Sequence, residues 1–302
     1  MRFFYDYASR FTACVTSCLF CLSFSASAQA ECPDDAAIAL YLAAYAKGVP
    51  ATGFGPGLSD EDAECAKFKL AKQLPKHLGA LSGYKLGFVS QASRKLQGSE
   101  KPRWGFMFER NLIDILAVIP ANFGAYPGFD ANLLVEVKDA GLADAATPLQ
   151  ALQHLESVIP FVELSDVMLP GPLTANELVA TNLSFRGGIK GAEVPVQATQ
   201  AFADALAAFS VTMVDESRDG QVLGSAARGD VLMGHPLNAA ILLAKALKLA
   251  GISLKPGDVL CLGSLIEPQP PRAGMKIKLQ YLGLPGDPEL ELEFSEAFDR
   301  GR

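Results

Sequence analysis

Histidine is scarce in this sequence: 302 residues carry only His77, His154 and His235. The three lie far apart with no metal-ligand spacing, which removes histidine-based zinc sites and the HExxH helix of metalloproteases. There is no G-x-S-x-G elbow for a serine nucleophile and no Walker loop for a nucleoside triphosphate. The glycines of Gly53-Phe54-Gly55-Pro56-Gly57 follow no strand pattern and do not fit the dinucleotide fingerprint. After residue 30 no apolar stretch approaches the ~20 residues needed to cross a bilayer. Basic residues are outnumbered, 26 against 33 acidic ones. Such an acidic body disfavours nucleic acid and anionic membranes as partners.

The N-terminus is the exception to the missing apolar runs. Arg2 and Arg10 precede an uncharged segment from Phe11 to Phe24, and Ala28-Gln29-Ala30 supplies the small-residue pattern that a signal peptidase accepts. The apolar run of ~14 residues is too short for a membrane anchor. Residues 1–30 are therefore expected to be a cleavable secretory signal. The mature protein, from near Glu31, is expected to be exported, periplasmic or secreted, with no membrane contact. Cys14, Cys18 and Cys21 leave with the signal. In an oxidising compartment Cys32 and Cys65 are the pair expected to close, while Cys261, inside an apolar strand pattern, reads as a buried free thiol.

The rest, 31–302, reads as one α+β domain: a helical cap over 31–80 and a β-rich body over 81–302. Helices are predicted from Asp34 to Lys47 and, after Ser59 as N-cap, to about Leu74. Short apolar runs follow at Tyr84–Val89, Trp104–Phe108, Leu133–Val137 and Ser157–Leu164, with a helix predicted over Thr147–Leu155. A later helix has Pro236 in its first turn, Leu237 to Ala250 as its body and Gly251 as its cap. A turn at Lys255-Pro256-Gly257-Asp258 launches the strand Val259–Gly263. Lys276–Leu282 and Leu290–Phe294 alternate as an antiparallel hairpin does.

Charges inside strand patterns are the chemical candidates. Glu136 lies in Leu133–Lys138 and Glu163 in Pro160–Asp166. Two carboxylates on separate strands can converge on a hard divalent cation such as Mg²⁺; equally, each can be a half-exposed strand residue with a salt-bridge partner. Lys85, between Tyr84 and Leu86, is either a pocket cation or a lysine reaching out of its strand.

Taken in order, the segments carry a family resemblance. Gly83-Tyr84-Lys85-Leu86-Gly87, Lys101–Phe108, Val135–Lys138, Ile159–Asp166, Thr181–Ser184 with Gly187, Gly188 and Gly191, Gly234–Ala239, and Leu254–Leu265 are the carriers. The set resembles the 2-keto-4-pentenoate hydratase and 4-oxalocrotonate decarboxylase branch of the fumarylacetoacetate hydrolase superfamily. The resemblance implies a mixed β-roll of the fumarylacetoacetate hydrolase type beneath the helical cap, and homo-oligomers. It also implies Mg²⁺ or Mn²⁺ held by three acids and chelating the carboxylate and 2-oxygen of a small organic acid. Lys85 is then the catalytic residue, Glu136 and Glu163 are metal ligands, and Gly263 and Ser264 touch substrate oxygens. The third acid is replaced by Lys138, which would face the substrate or pair with the acids. The implied function is a lyase, hydratase or decarboxylase, acting on a short 2-oxo or 2-hydroxydienoic acid with altered or lost metal dependence. The alternative is an exported, non-catalytic member that binds a small organic acid or has a structural role.

Overall fold

A computed structural model describes residues 31–55, 57–114, 118–227 and 229–296; the expected signal at 1–30 lies outside them. Helix α1 (Asp35–Lys47) starts where the Asp34 side chain accepts from Ala37 N and stops at Gly48, which adopts φ 61°. Helix α2 (Asp60–Gln73) opens with a capping box between Ser59 and Asp62. A Cys32–Cys65 disulfide ties the segment before α1 to α2, and among the described residues Cys261 is free and buried. Both cysteine assignments follow the sequence expectation.

The described strands are β1 (Leu81–Gly87), β2 (Arg103–Phe108), β3 (Leu112–Asp114), β4 (Val118–Pro120), β5 (Pro127–Val137), β6 (Leu155–Asp166), β7 (Phe185–Lys190), β8 (Val194–Pro195), β9 (Ser210–Asp215), β10 (Gln221–Ala226), β11 (Val259–Cys261), β12 (Lys276–Leu282) and β13 (Glu289–Ser295). One sheet runs β2-β1-β11-β5-β6-β7-β3, with β8 also on β6; the other runs β10-β9-β12-β13-β4. Strands β5 and β6 pair antiparallel in the middle of the first sheet and are buried along nearly their whole length. Tyr281 of the second sheet donates its hydroxyl to Asn132 O at 2.8 Å and reaches Phe161 O at 3.3 Å, locking the sheets together behind that central pair.

The helix Pro236–Leu249 packs against β1 and β11, and its Leu237, Ala240, Leu243, Ala244 and Leu247 are buried. His235 is its N-cap: Nδ1 accepts from Leu237 N at 3.0 Å and Nε2 faces Ala203 O at 3.0 Å. Two elements differ from the sequence reading. The helix expected over Thr147–Leu155 is one α-turn, Pro148–Ala151, passing through a 3₁₀ turn into β6. The strand expected at Leu133–Val137 is only the end of β5, which begins at Pro127. Among the described residues no helix is long and apolar enough to cross a membrane.

Candidate active site

Strand register decides which charges meet. Asp130 of β5 stands opposite Glu163 of β6, and the period of two puts Asn132 on the same face one pleat along. Across β11, Leu134 pairs with Cys261, which in turn pairs with Lys85 of β1, so Lys85 and Cys261 join that face. Four polar side chains are thereby carried into the interior, each at most 6% exposed: Lys85, Asp130, Asn132 and Glu163.

Two of the expected site residues, Glu136 and Lys138, lie elsewhere. Glu136 pairs with Ser157, six residues along β5 from Asp130, which at strand rise is ~20 Å away. There it accepts from Ser157 Oγ at 2.9 Å. It cannot share an ion with Glu163. Lys138 lies beyond the end of β5 and is exposed, so it neither faces a substrate nor pairs with these acids. The acid beside Glu163 is Asp130. Lys85, Glu163, Gly263 and Ser264 are brought together around one cavity; Glu136 and Lys138 are not.

The cluster is tightly wired. Lys85 Nζ bonds Glu163 Oε1 and donates to Leu183 O at 3.3 Å, with the Phe185 ring 5.5 Å away. Asn132 Nδ2 donates to Asp130 Oδ2 at 2.7 Å, and Cys261 Sγ donates to Asn132 Oδ1 at 3.2 Å. Burial pushes the Asp130 carboxyl up to about 8, and the Glu163 charge adds to this against hydrogen bonds from Ser264 and Asn132 and the charge of Lys85. Burial pulls the other way on Lys85, but Glu163 outweighs it and holds the ammonium above its usual range. Burial, then Glu163, pushes the Cys261 thiol well up, so it is protonated at neutral pH.

A strained turn supplies the remaining polar groups. Asn182, Leu183 and Ser184 adopt φ of 60°, 54° and 56° in succession, a conformation that costs non-glycine residues about 1–2 kcal/mol each. The Asn182 amide holds the turn by bonding edge strand β2: Oδ1 accepts from Phe106 N at 2.7 Å and Nδ2 donates to Phe106 O at 2.9 Å. The turn thereby aims Leu183 O at Lys85. Ser184 Oγ is buried without a hydrogen-bond partner among the described residues. Gly263 closes the other side at φ 107°, where a Cβ would come within 2.5 Å of Val89. The cavity so formed holds about 360 Å³. Lys85, Asp130, Glu163, Ser184 and Ser264 lie on its polar side; Phe88, Val89, Val167, Leu178 and Leu232 make an apolar wall.

No family model matches the sequence. The chain is 24% identical to a 4-oxalocrotonate decarboxylase of Pseudomonas putida over 230 residues, 76% of this chain and 84% of that one. It is 25% identical to a 2-hydroxyhexa-2,4-dienoate hydratase of Comamonas testosteroni over 238 residues, 78% and 87% of the two chains. The backbone matches 4-oxalocrotonate decarboxylase from Pseudomonas putida G7, complexed with magnesium and adipate, with a TM-score of 0.74, 21% identity, and 86% and 96% coverage. A Yersinia pestis CO92 protein ascribed to the fumarylacetoacetate hydrolase family matches at 0.51, with 14% identity, and 72% and 94% coverage. In sequence the chain is similar to hydratases and a decarboxylase of dienoic and oxo acids, and it shares its fold with the decarboxylase.

Against the three acids that the family resemblance implied, the donor set is depleted. Two carboxylates and an amide stand where the resemblance implied three acids. One carboxylate is bonded by the Lys85 ammonium, the other by the Asn132 amide. Among the described residues no group of three or more histidines, cysteines, aspartates and glutamates lies close enough to hold a metal ion. A divalent cation does not fit this arrangement. The resemblance put Lys138 in place of the third acid; in the structure Lys138 is exposed and away from the cavity, and the side chain beside Asp130 and Glu163 is the Asn132 amide. Asp130, Asn132 and Ser184 were missed as site residues. The signal for the first two was the polar alternation Asp130-Ala131-Asn132 just upstream of an apolar run.

Proposed function

We propose that this protein is a lyase, adding water to or removing carbon dioxide from a short 2-oxo or 2-hydroxydienoic acid. The observation that carries the reading is the convergence, in one cavity with an apolar wall, of the buried Lys85 ammonium and the unpartnered Ser184 hydroxyl. Relatives named as a decarboxylase and as hydratases of such acids support it. The substrate carboxylate lies against Lys85, and the apolar wall takes the carbon chain. Both reactions pass through a dienolate or enolate, whose developing oxygen charge Lys85 and the Ser184 and Ser264 hydroxyls stabilise. Burial, then the Glu163 charge, favours the protonated form of Asp130, which can deliver the proton that a dienolate carbon takes up.

Export and self-association belong to the same reading. Export is supported by the pattern of the first thirty residues and by the Cys32–Cys65 disulfide, a bond that persists in oxidising compartments. Self-association into a homo-oligomer follows the resemblance, and light scattering tests it. The test of function is ultraviolet absorbance of 2-hydroxypenta-2,4-dienoate mixed with purified protein. The dienol band should decay faster than it does spontaneously, and Lys85→Met should lower the rate by about a hundredfold or more. No acceleration by the unaltered protein refutes the proposal.

A further inference from the structure

We infer that the Asp130–Asn132–Glu163 cluster works without a divalent ion and that the Lys85 ammonium is its resident positive charge. The inference rests on the donor set and is independent of which reaction the cavity supports. A hard divalent ion needs oxygen atoms free to point at it, and the number of carboxylates sets how tightly it is held. Here Asn132 contributes an amide where a third carboxylate would complete the set. That amide turns its nitrogen toward Asp130, while its oxygen accepts from Cys261. It therefore brings no charge, and its oxygen is already engaged by the Cys261 thiol.

The Lys85 side chain strengthens the case. Its ammonium is bonded to Glu163 Oε1 and to Leu183 O, so it occupies the space between the carboxylate and the turn. A dication entering the same low-dielectric space meets a fixed like charge at close range. The carboxylate of a substrate then meets Lys85 directly. The Lys85 ammonium already neutralises the Glu163 carboxylate it is bonded to, leaving less negative charge to attract a dication.

The test uses the full chain, stripped with chelator and titrated with MnCl₂, reading heat by calorimetry and free Mn²⁺ by electron paramagnetic resonance. The unaltered protein should show no stoichiometric uptake at micromolar Mn²⁺. Asn132→Asp, which makes three carboxylates, should take up one ion per chain about a hundredfold more tightly. Lys85→Met probes the same balance by removing the ammonium, and should also gain Mn²⁺ affinity; it carries the test if circular dichroism shows the Asn132 variant unfolded. Stoichiometric micromolar uptake by the unaltered protein, abolished by Asp130→Asn, overturns the inference. So does a failure of every folded variant to gain affinity, because charge would then not be what keeps the ion out. Neither result bears on the dienoate assay, so the two readings fail separately.

Discussion

Replacing Asn182 should disable the site without touching its charges. The two hydrogen bonds from its amide satisfy the outward-facing N–H and C=O of Phe106, on the strand that edges its sheet among the described residues. Asn182→Ala leaves that donor and acceptor buried and unpaired, at about 1–3 kcal/mol each. It also leaves alanine at φ 60°, where asparagine is better tolerated, for about another 1 kcal/mol. The sum is a loss of about 3–7 kcal/mol, a large part of a typical domain's stability. Asn182→Gly loses the same hydrogen bonds but relieves the backbone, so it should be about 1 kcal/mol more stable than the alanine variant. Urea unfolding with unchanged m-values is the assay. Conditions that keep either variant folded should still show weaker carboxylate binding, because Leu183 O and Ser184 Oγ lose their alignment on Lys85. Alanine within about 1 kcal/mol of wild type, or glycine no better than alanine, would show that the amide is not what holds the turn.

Three other outcomes follow from single features. Cys32→Ser opens a bridge across a sequence separation of 33 and should cost about 3–4 kcal/mol by loop entropy, with reductant bringing the unaltered protein to the same melting curve. Lys67 is fully buried, donates to Trp104 O at 2.9 Å and pairs with Glu64 at 2.6 Å. Burial pulls its ammonium from 10.5 to about 8, so between those pH values the unfolded chain holds a proton that the folded chain lacks. Stability should therefore rise with pH across that window, by up to about 3 kcal/mol, and Lys67→Met should flatten the rise in pH-dependent urea melts. Lys85 is the one cation among the described residues lining the cavity, which also carries Asp130, Glu163 and Glu267. Hexanoate should therefore displace a bound substrate analogue at roughly tenfold lower concentration than adipate, whose second carboxylate finds only acids; equal potency would argue against this charge pattern.

How much of this was legible in the sequence varies by element. Helices α1 and α2 announced themselves through Asp34, Ser59 and Gly48, because caps act on nearest neighbours and need no tertiary context. The Pro236 helix did so for the same reason. The disulfide was legible because only three cysteines remain after residue 30, and Cys261 sits in an apolar run. The first half of β5 was not legible. Pro127, Gly128, Asp130 and Asn132 are poor strand formers, and they are held extended by the β6 ladder and by Gln269 and Leu265 bonding to Phe129 and Ala131. Long-range pairing overrode local preference there, and the chemistry lies in that stretch.

The same conflict explains why the wrong glutamate looked right. Glu136 interrupts an apolar run, which is the usual mark of a functional charge, and its strand does enter the site. Position along a strand, however, is set by register, and register is settled by partners far away in sequence. Six residues of offset separate a half-buried glutamate bonded to Ser157 from a buried aspartate facing Glu163. The cluster, the left-handed turn at Asn182–Ser184 and the unpartnered Ser184 hydroxyl each violate a local rule, and all three meet at one cavity. A fold tolerates such violations where the surrounding structure over-determines them. Here Tyr281 behind β5, the Asn182 amide on β2 and the Lys85–Glu163 pair supply that restraint, so Ser184 Oγ remains free for a ligand.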